Sequence, residues 1–335
     1  MTKLSYSLFT MLFCFVISLP SWARTYKLGV VSSGWPGYSA VQVAKNKGFW
    51  KNQGVDVELI LYSRISDYIN AIINRRAELC FMPLPSLVDF RKEGNELIYL
   101  GTTLVSKPGD SIVVVKKALV KQSLKGQFFG IPGNESFGKT IAANYLQKVN
   151  NKLSDVQLVY MSAEDLSKNF INGRLKAIYT YGPTVEKTIL AGDGVLVDAA
   201  STQFGLAAYK DILAGIPEQD LKKINRGIML ANQWINKPRN WPEYQRLLND
   251  DFFIGLGKLD TLELKQMLDK LDFIEPDEVI HHNNNTLPIL FNEVRRIFAH
   301  EGSLKGEVLR KFTVQEAIFN KALLDSAREL DKRAN

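Results

Sequence analysis

Short apolar runs alternate with amphipathic helical patterns from Tyr26 to about Val197, and this alternation limits the fold more than any other feature of the chain. The runs predict strands at 26–31, 55–62, 78–82, 97–104, 111–115, 127–131, 156–160, 175–180 and 195–197. Between them Ile65, Tyr68, Ile69, Ile72 and Ile73 recur at the spacing that puts residues on one face of a helix. Phe137, Ile141 and Tyr145 do the same further on. Strands alternating with helices imply an α/β protein with largely parallel sheets. After about Leu206 the texture changes. Leu221, Ile224, Ile228, Ala231 and Ile235 mark a long helix, and helical patterns continue to Arg333. These helices are amphipathic, so the tail must cover an apolar surface.

The economical arrangement is two lobes, each a mostly parallel sheet flanked by helices. Residues 24–105 plus 206–335 would make lobe 1 with its helical tail, and 106–205 lobe 2. The chain would cross between them at 106–110 and at about 199–205. Two crossings make a hinge with a cleft, a common place for a small-molecule site.

Residues 1–23 read as a secretory leader. Lys3 gives a basic start, Leu8 to Leu19 an apolar core of about a dozen residues, and Ser21-Trp22-Ala23 a small-residue cleavage site after Ala23. That core is short of the ~20 residues a spanning helix needs. The expectation is an exported, soluble and monomeric product, periplasmic in location. The net charge of +7 is spread in pairs such as Arg75-Arg76 and Lys222-Lys223 rather than in tracts, which does not favour a nucleic-acid partner. Cys80 would be the one cysteine left after processing. It cannot form an intramolecular disulfide and reads as a small core residue.

The order of motifs resembles a known family. The pieces are Gly34-Trp35-Pro36-Gly37-Tyr38, Ala44-Lys45-Asn46-Lys47-Gly48-Phe49-Trp50, Gly54-Val55-Asp56-Val57-Glu58, Pro83-Leu84-Pro85-Ser86 and Pro108-Gly109-Asp110-Ser111. Leu124-Lys125-Gly126, Gly133-Asn134-Glu135-Ser136-Phe137 and Gly173-Arg174-Leu175-Lys176-Ala177 through Pro183 follow in sequence. Together they are similar to periplasmic solute-binding proteins of ABC importers, in the group that binds aliphatic sulfonates, taurine, nitrate and thiamine-precursor pyrimidines. The likeness covers about residues 26–200. Arg76, Glu78, Lys176 and Tyr181-Gly182-Pro183 depart from the group's usual residues. The resemblance implies a type II-like two-lobed binding-protein fold, closure on a small polar or anionic solute, no enzymatic activity and no cofactor. It also implies a transporter permease as partner. A membrane kinase or cyclase that reads the closed form is the alternative.

Candidate ligand residues come from the loops at strand ends. Trp35 and Tyr38 follow the first strand and would form a cleft wall. Ser66 opens the Ile65 helix, where it also reads as a helix cap. Pro83 and Ser86 stand at the next strand–helix turn, and Asp110 and Ser111 just after the first crossing. Ser136 and Phe137 begin a helix whose free N–H groups and positive dipole end suit an acceptor-rich guest. Tyr179 and Tyr181 face one side at a strand's C-terminal end, where open α/β sheets bind ligands.

The stretch Gly133 to Thr140 also spells the phosphate-loop pattern G-x-x-x-x-G-K-T, with Lys139 as its lysine and Asp198 as a possible metal-binding acid. A nucleotide-binding enzyme is therefore a further alternative, disfavoured by export. His281, His282 and His300 all lie in the tail, the first two beside Asn283-Asn284-Asn285, which reads as a polar surface loop. Neither a catalytic triad nor a metal site is expected.

Overall fold

The computed structural model describes residues 24–334, apart from 33, 93–95, 134, 183 and 254–256; the side chains of 92, 109–111, 186, 333 and 334 are also outside the description. The expected leader and its cleavage site therefore lie outside the described residues.

Among the described residues nine strands form in chain order: β1 (Thr25–Val31), β2 (Asp56–Tyr62), β3 (Leu79–Pro83), β4 (Leu97–Lys116), β5 (Phe128–Pro132), β6 (Gln157–Met161), β7 (Ala177–Tyr181), β8 (Gly194–Tyr209) and β9 (Leu271–Asp272). They pair in the order β2-β1-β3-β8-β4-β7-β5-β6, with β9 on β4. The outer pairs β1–β2, β1–β3, β5–β6 and β5–β7 are parallel. The pairs that involve β4 or β8 are antiparallel. The sheet is thus more mixed than the strand–helix alternation implies, because two long strands run through its middle.

The helices between strands are α1 (Ala40–Asn46), α2 (Ile65–Ile73), α3 (Leu87–Lys92), α4 (Ser136–Lys148), α5 (Ala163–Ile171) and α6 (Thr184–Ala191). Two of them, α2 and α4, lie where the stripes predict. Tyr68 and Ile72 of α2, and Phe137, Ile141 and Tyr145 of α4, are buried. Strands such as β3 and β5 are apolar along nearly their whole length because helices cover both faces. Cys80 is buried and its thiol donates to the Ala207 carbonyl oxygen at 3.3 Å; burial pushes that thiol up to about 12.

The segments expected as crossings, 106–110 and 199–205, are the middles of β4 and β8, which pair with each other from Leu97–Tyr209 to Lys116–Gly194. Between Ser106 and Ser111 the register shifts, so that the six residues 106–111 of β4 face three, 200–202, of β8. A proline has no N–H to give a ladder, and a bulge is where a strand tolerates one. Pro108 sits in that bulge.

After β8 comes α7 (Lys210–Ala214) and then α8 (Glu218–Ile235), the long helix of the tail, with Leu221, Ile224, Ile228 and Ala231 buried. It packs on α1, and Trp50, just after that helix and 2% exposed, donates its indole N–H to the Ile224 carbonyl at 2.9 Å. The C-terminal helix Lys321–Ala334 lies against α8. The tail therefore returns to the half of the sheet that contains β1 to β3.

The asparagine run is not a surface loop. Residues His282–Thr286 form a helical turn between helices Pro276–His281 and Leu287–His300. Asn283 is 2% exposed there. Its side chain accepts from the Thr102 N–H at 2.8 Å and donates to the Thr102 carbonyl at 2.9 Å. Asn232 of α8 donates to the next carbonyl of the same strand, Thr103, at 2.8 Å. Carboxamides carry both donor and acceptor, so they can satisfy a buried backbone that a bulge has taken out of its ladder.

Candidate functional site

The C-terminal ends of β1, β3, β5 and β7 and the middle of β8 surround a cavity of about 550 Å³, counting the solvent at its mouth. From the β1, α2 and β3 side come Val31, Trp35, Tyr38, Ile65, Tyr68 and Pro83. From the β5 and β7 side come Glu135, Phe137, Tyr179 and Tyr181, and β8 contributes Phe204. Seven of these eleven residues are aromatic, and Glu135 is the one ionisable carboxyl or basic group among them.

Phe204 joins the two sides. Its ring centroid is 4.9 Å from Trp35, 5.7 Å from Tyr38 and 5.9 Å from Phe137. Trp35 meets Tyr38 edge-on at 4.9 Å, and Phe137 meets Tyr179 edge-on at 5.9 Å. Edge-to-face contacts at these separations are the favoured aromatic geometry. The result is a continuous apolar wall. Tyr68 is held at its base by an O–H donated to the Phe81 carbonyl at 2.8 Å.

Of the residues singled out from sequence, Trp35, Tyr38, Pro83, Phe137, Tyr179 and Tyr181 line this cavity. Ser66 does not: α2 begins at Ile65 with Arg64 as its cap, which leaves Ser66 exposed in the first turn. Ser86 is buried behind the wall, 6% exposed, with its hydroxyl toward the Glu135 carboxyl. The side chains of Asp110 and Ser111 lie outside the described residues, although the backbone of Ser111 pairs with Tyr181 and Ala200.

Ser136 is placed differently from the expectation. It is completely buried, and its hydroxyl and N–H both donate to the Asp89 carboxylate, at 2.6 and 2.7 Å. A carboxylate from α3 thus stands at the start of α4. The N-terminus offered for an anionic guest is already met by a negative side chain, which also repels a phosphate from this loop. Asp198, the acid of the nucleotide reading, accepts from Lys148 at 2.7 Å, and Lys139 lies over the Tyr160 ring at 5.6 Å. Replacing Asp89 with Ala removes the acceptor for two donors at a helix start and should cost about 1 kcal/mol in urea unfolding.

Five lining residues escaped the sequence reading. Val31 ends β1, and Ile65 and Tyr68 belong to the α2 stripe, which was legible as apolar but not as cavity wall. Phe204 fell within a supposed crossing. Glu135 stands inside the Gly133–Thr140 loop, whose pattern marks the glycines and the hydroxyl rather than the carboxyl. It is 9% exposed. Burial and then the nearby negative charge of Asp89 push its carboxyl up to about 8, against the opposing pull of Lys139 and the Ser86 hydroxyl. Among the described residues no group of three or more His, Cys, Asp or Glu could hold a metal ion, and no helix is long and apolar enough to cross a membrane.

The solved structures most similar to this one include the alkanesulfonate-binding protein of Xanthomonas axonopodis pv. citri, bound to MOPS. It is 15% identical with a TM-score of 0.63, over 88% of this chain and 97% of the other. The periplasmic nitrate-binding protein of Synechocystis PCC 6803 is 12% identical with a TM-score of 0.66, over 93% of this chain and 90% of the other. At such identities the likeness shows the fold, which is that of periplasmic binding proteins. In sequence, a putative thiamine biosynthesis protein of Haemophilus influenzae is 26% identical over 205 residues. That match covers 59% of this chain and spans 63% of the relative's length. A family model described as NMT1/THI5 like matches residues 35–223, more than half of the sequence, and the chain belongs to that family.

Proposed function

We propose that the chain is an exported solute-binding protein that captures a small, flat heteroaromatic solute of the thiamine-precursor pyrimidine kind for delivery to an ABC importer. The observation that carries this reading is the make-up of the cavity: seven aromatic residues, one carboxyl, and no lysine or arginine among the lining residues. An aromatic wall recovers the hydrophobic and stacking energy of a ring. A sulfonate or nitrate would need cationic or N–H donors, and Asp89 already stands at the nearest helix start. The name of the Haemophilus relative points the same way.

Capture would proceed by closure of 24–105 plus 206–335 on 106–205, with β4 and β8 as the hinge strands. The cavity's position between the two sets of strand ends supports this. A closed, occupied form is what a permease would recognise.

The test is a thermal-shift screen of the purified protein with aminopyrimidines, taurine, alkanesulfonates and nitrate. A ligand at a hundred times its dissociation constant stabilises by about 2.7 kcal/mol, which raises the midpoint by a few degrees. The expected result is a shift with an aminopyrimidine. A shift confined to the sulfonates or nitrate would overturn this reading.

A further inference from the structure

Among the described residues the cavity lining has one carboxyl, that of Glu135, and no lysine, arginine or histidine. Around Glu135 the titratable and charged groups are few and can be taken element by element. From α2, Tyr68 approaches, its phenol held well above its usual range by burial and hydrogen-bonded to Phe81. From the turn Leu84–Ser86 comes the Ser86 hydroxyl. Asp89 of α3 brings a like charge, with its oxygens taken by Ser136. Lys139, on the same helix as Ser136, is half-buried, with its ammonium over the Tyr160 ring. Across the cavity stand the phenols of Tyr38, Tyr179 and Tyr181.

We propose that Glu135 meets its solute as an uncharged carboxylic acid and reads a paired edge, a ring nitrogen beside an amino group, on a neutral heteroaromatic ring. The inference rests on the aromatic-solute reading above and adds to it the group that selects the solute. A carboxylic acid carries one O–H donor and one carbonyl acceptor. A ring nitrogen flanked by an amino group carries the complementary acceptor and donor, so the two can form two parallel hydrogen bonds. An ionised carboxylate offers acceptors alone and would leave the ring nitrogen unmatched in a buried site, at the cost of an unsatisfied polar atom. No proton is released or taken up when the neutral ring meets the neutral acid. The proton stays in the pair, on whichever partner holds it more tightly.

The sign of the pH dependence follows. Below pH 8 the free protein already carries the proton that the complex needs, so affinity does not change with pH. Above pH 8 the free protein has lost it, and binding must recover it from water. Affinity then falls, approaching tenfold for each further pH unit. A carboxylate that binds an organic cation predicts the reverse, an affinity that rises up to pH 8 and then levels.

The experiment is calorimetric titration of the full protein from pH 7 upward, where the free ring is uncharged. The two probes are 4-amino-2-methylpyrimidine and 2,4-dimethylpyrimidine, which has a methyl in place of the amino group. The expected result is flat affinity to about pH 8, then the fall, for the amino compound. The dimethyl compound should bind at least tenfold more weakly. Glu135→Gln supplies a carboxamide with the same donor and acceptor and no proton to lose. It should keep the amino compound's affinity within a few-fold and abolish the fall above pH 8, whereas Glu135→Leu should lose tenfold or more. Equal affinity for the two rings, or affinity that rises with pH, would overturn the role of the Glu135 proton while leaving the solute reading intact. If neither ring binds while another solute does, the solute reading itself fails.

Discussion

Gly205→Ala should destabilise the protein by about 3 kcal/mol, the top of the range usual for overpacking, because no side chain is there to give way. A methyl group on Gly205 would stand 1.8 Å from the Gly101 carbonyl oxygen and 2.8 Å from its carbonyl carbon. Both are backbone atoms of β4, so relief requires β4 and β8 to separate. Gly101 cannot retreat easily. It is in the left-handed region, with φ of 110°, and its own face is closed by Leu323 and Asn283. Asn283 in turn holds the Thr102 backbone from both sides. The expected measurement is urea unfolding, with Gly257→Ala as the control, since a methyl there meets nothing within 4 Å and should change stability by less than about 0.5 kcal/mol. A cost at Gly205 below about 1 kcal/mol would mean that the two long strands part readily at this point.

That close approach of two backbones also shows what could not be read from the sequence. Each strand and stripe between Tyr26 and Val197 announced itself locally, because period 2 and period 3.6 are properties of neighbouring residues. The α8 helix was legible for the same reason. The run Ser106-Lys107-Pro108-Gly109-Asp110 reads as a crossing, and its proline and glycine hide the continuous strand, since they usually interrupt one. In the fold it is extended, because the partner strand β8 supplies pairing on either side of a bulge that absorbs the proline. Nothing local in 199–205 says that Phe204 will be wedged between Trp35 and Phe137.

The site followed the same rule. Trp35, Tyr38 and Tyr181 were accessible because aromatic residues at strand ends in Gly- and Pro-rich loops have few other uses. Ser136 was misplaced because a helix start looks vacant in sequence, and only the fold brings Asp89 from 47 residues away. Glu135 takes its character from burial and from that same Asp89, neither of which a one-dimensional pattern contains. Asn283 shows the reverse error. Three consecutive asparagines beside two histidines look like surface, yet one of them satisfies a buried strand.

Trp35→Ala should weaken binding of the aminopyrimidine by about 1–3 kcal/mol, a loss of roughly 5- to 150-fold. The indole is 8% exposed and forms the outer wall of the cavity, braced by Tyr38 and Phe204. Deleting it removes both ring contact and part of that brace, so a fall in stability is expected as well and could by itself account for a modest loss of affinity. A second substitution separates the two effects. The indole lies directly over Gly37, where an added methyl would come within 2.0 to 2.5 Å of three ring atoms. Gly37→Ala leaves the indole in the chain but forces it off its seat. If the ring is the surface on which the solute rests, Gly37→Ala should lose affinity on the same scale as Trp35→Ala, while Trp35→Phe should retain most of it. Calorimetric titration of the three variants at pH 7 reads the difference. Should Gly37→Ala bind as the unaltered protein does, the indole would be packing the loop rather than the ligand, and the aromatic grip would have to come from Tyr38, Tyr179 and Tyr181 across the cavity.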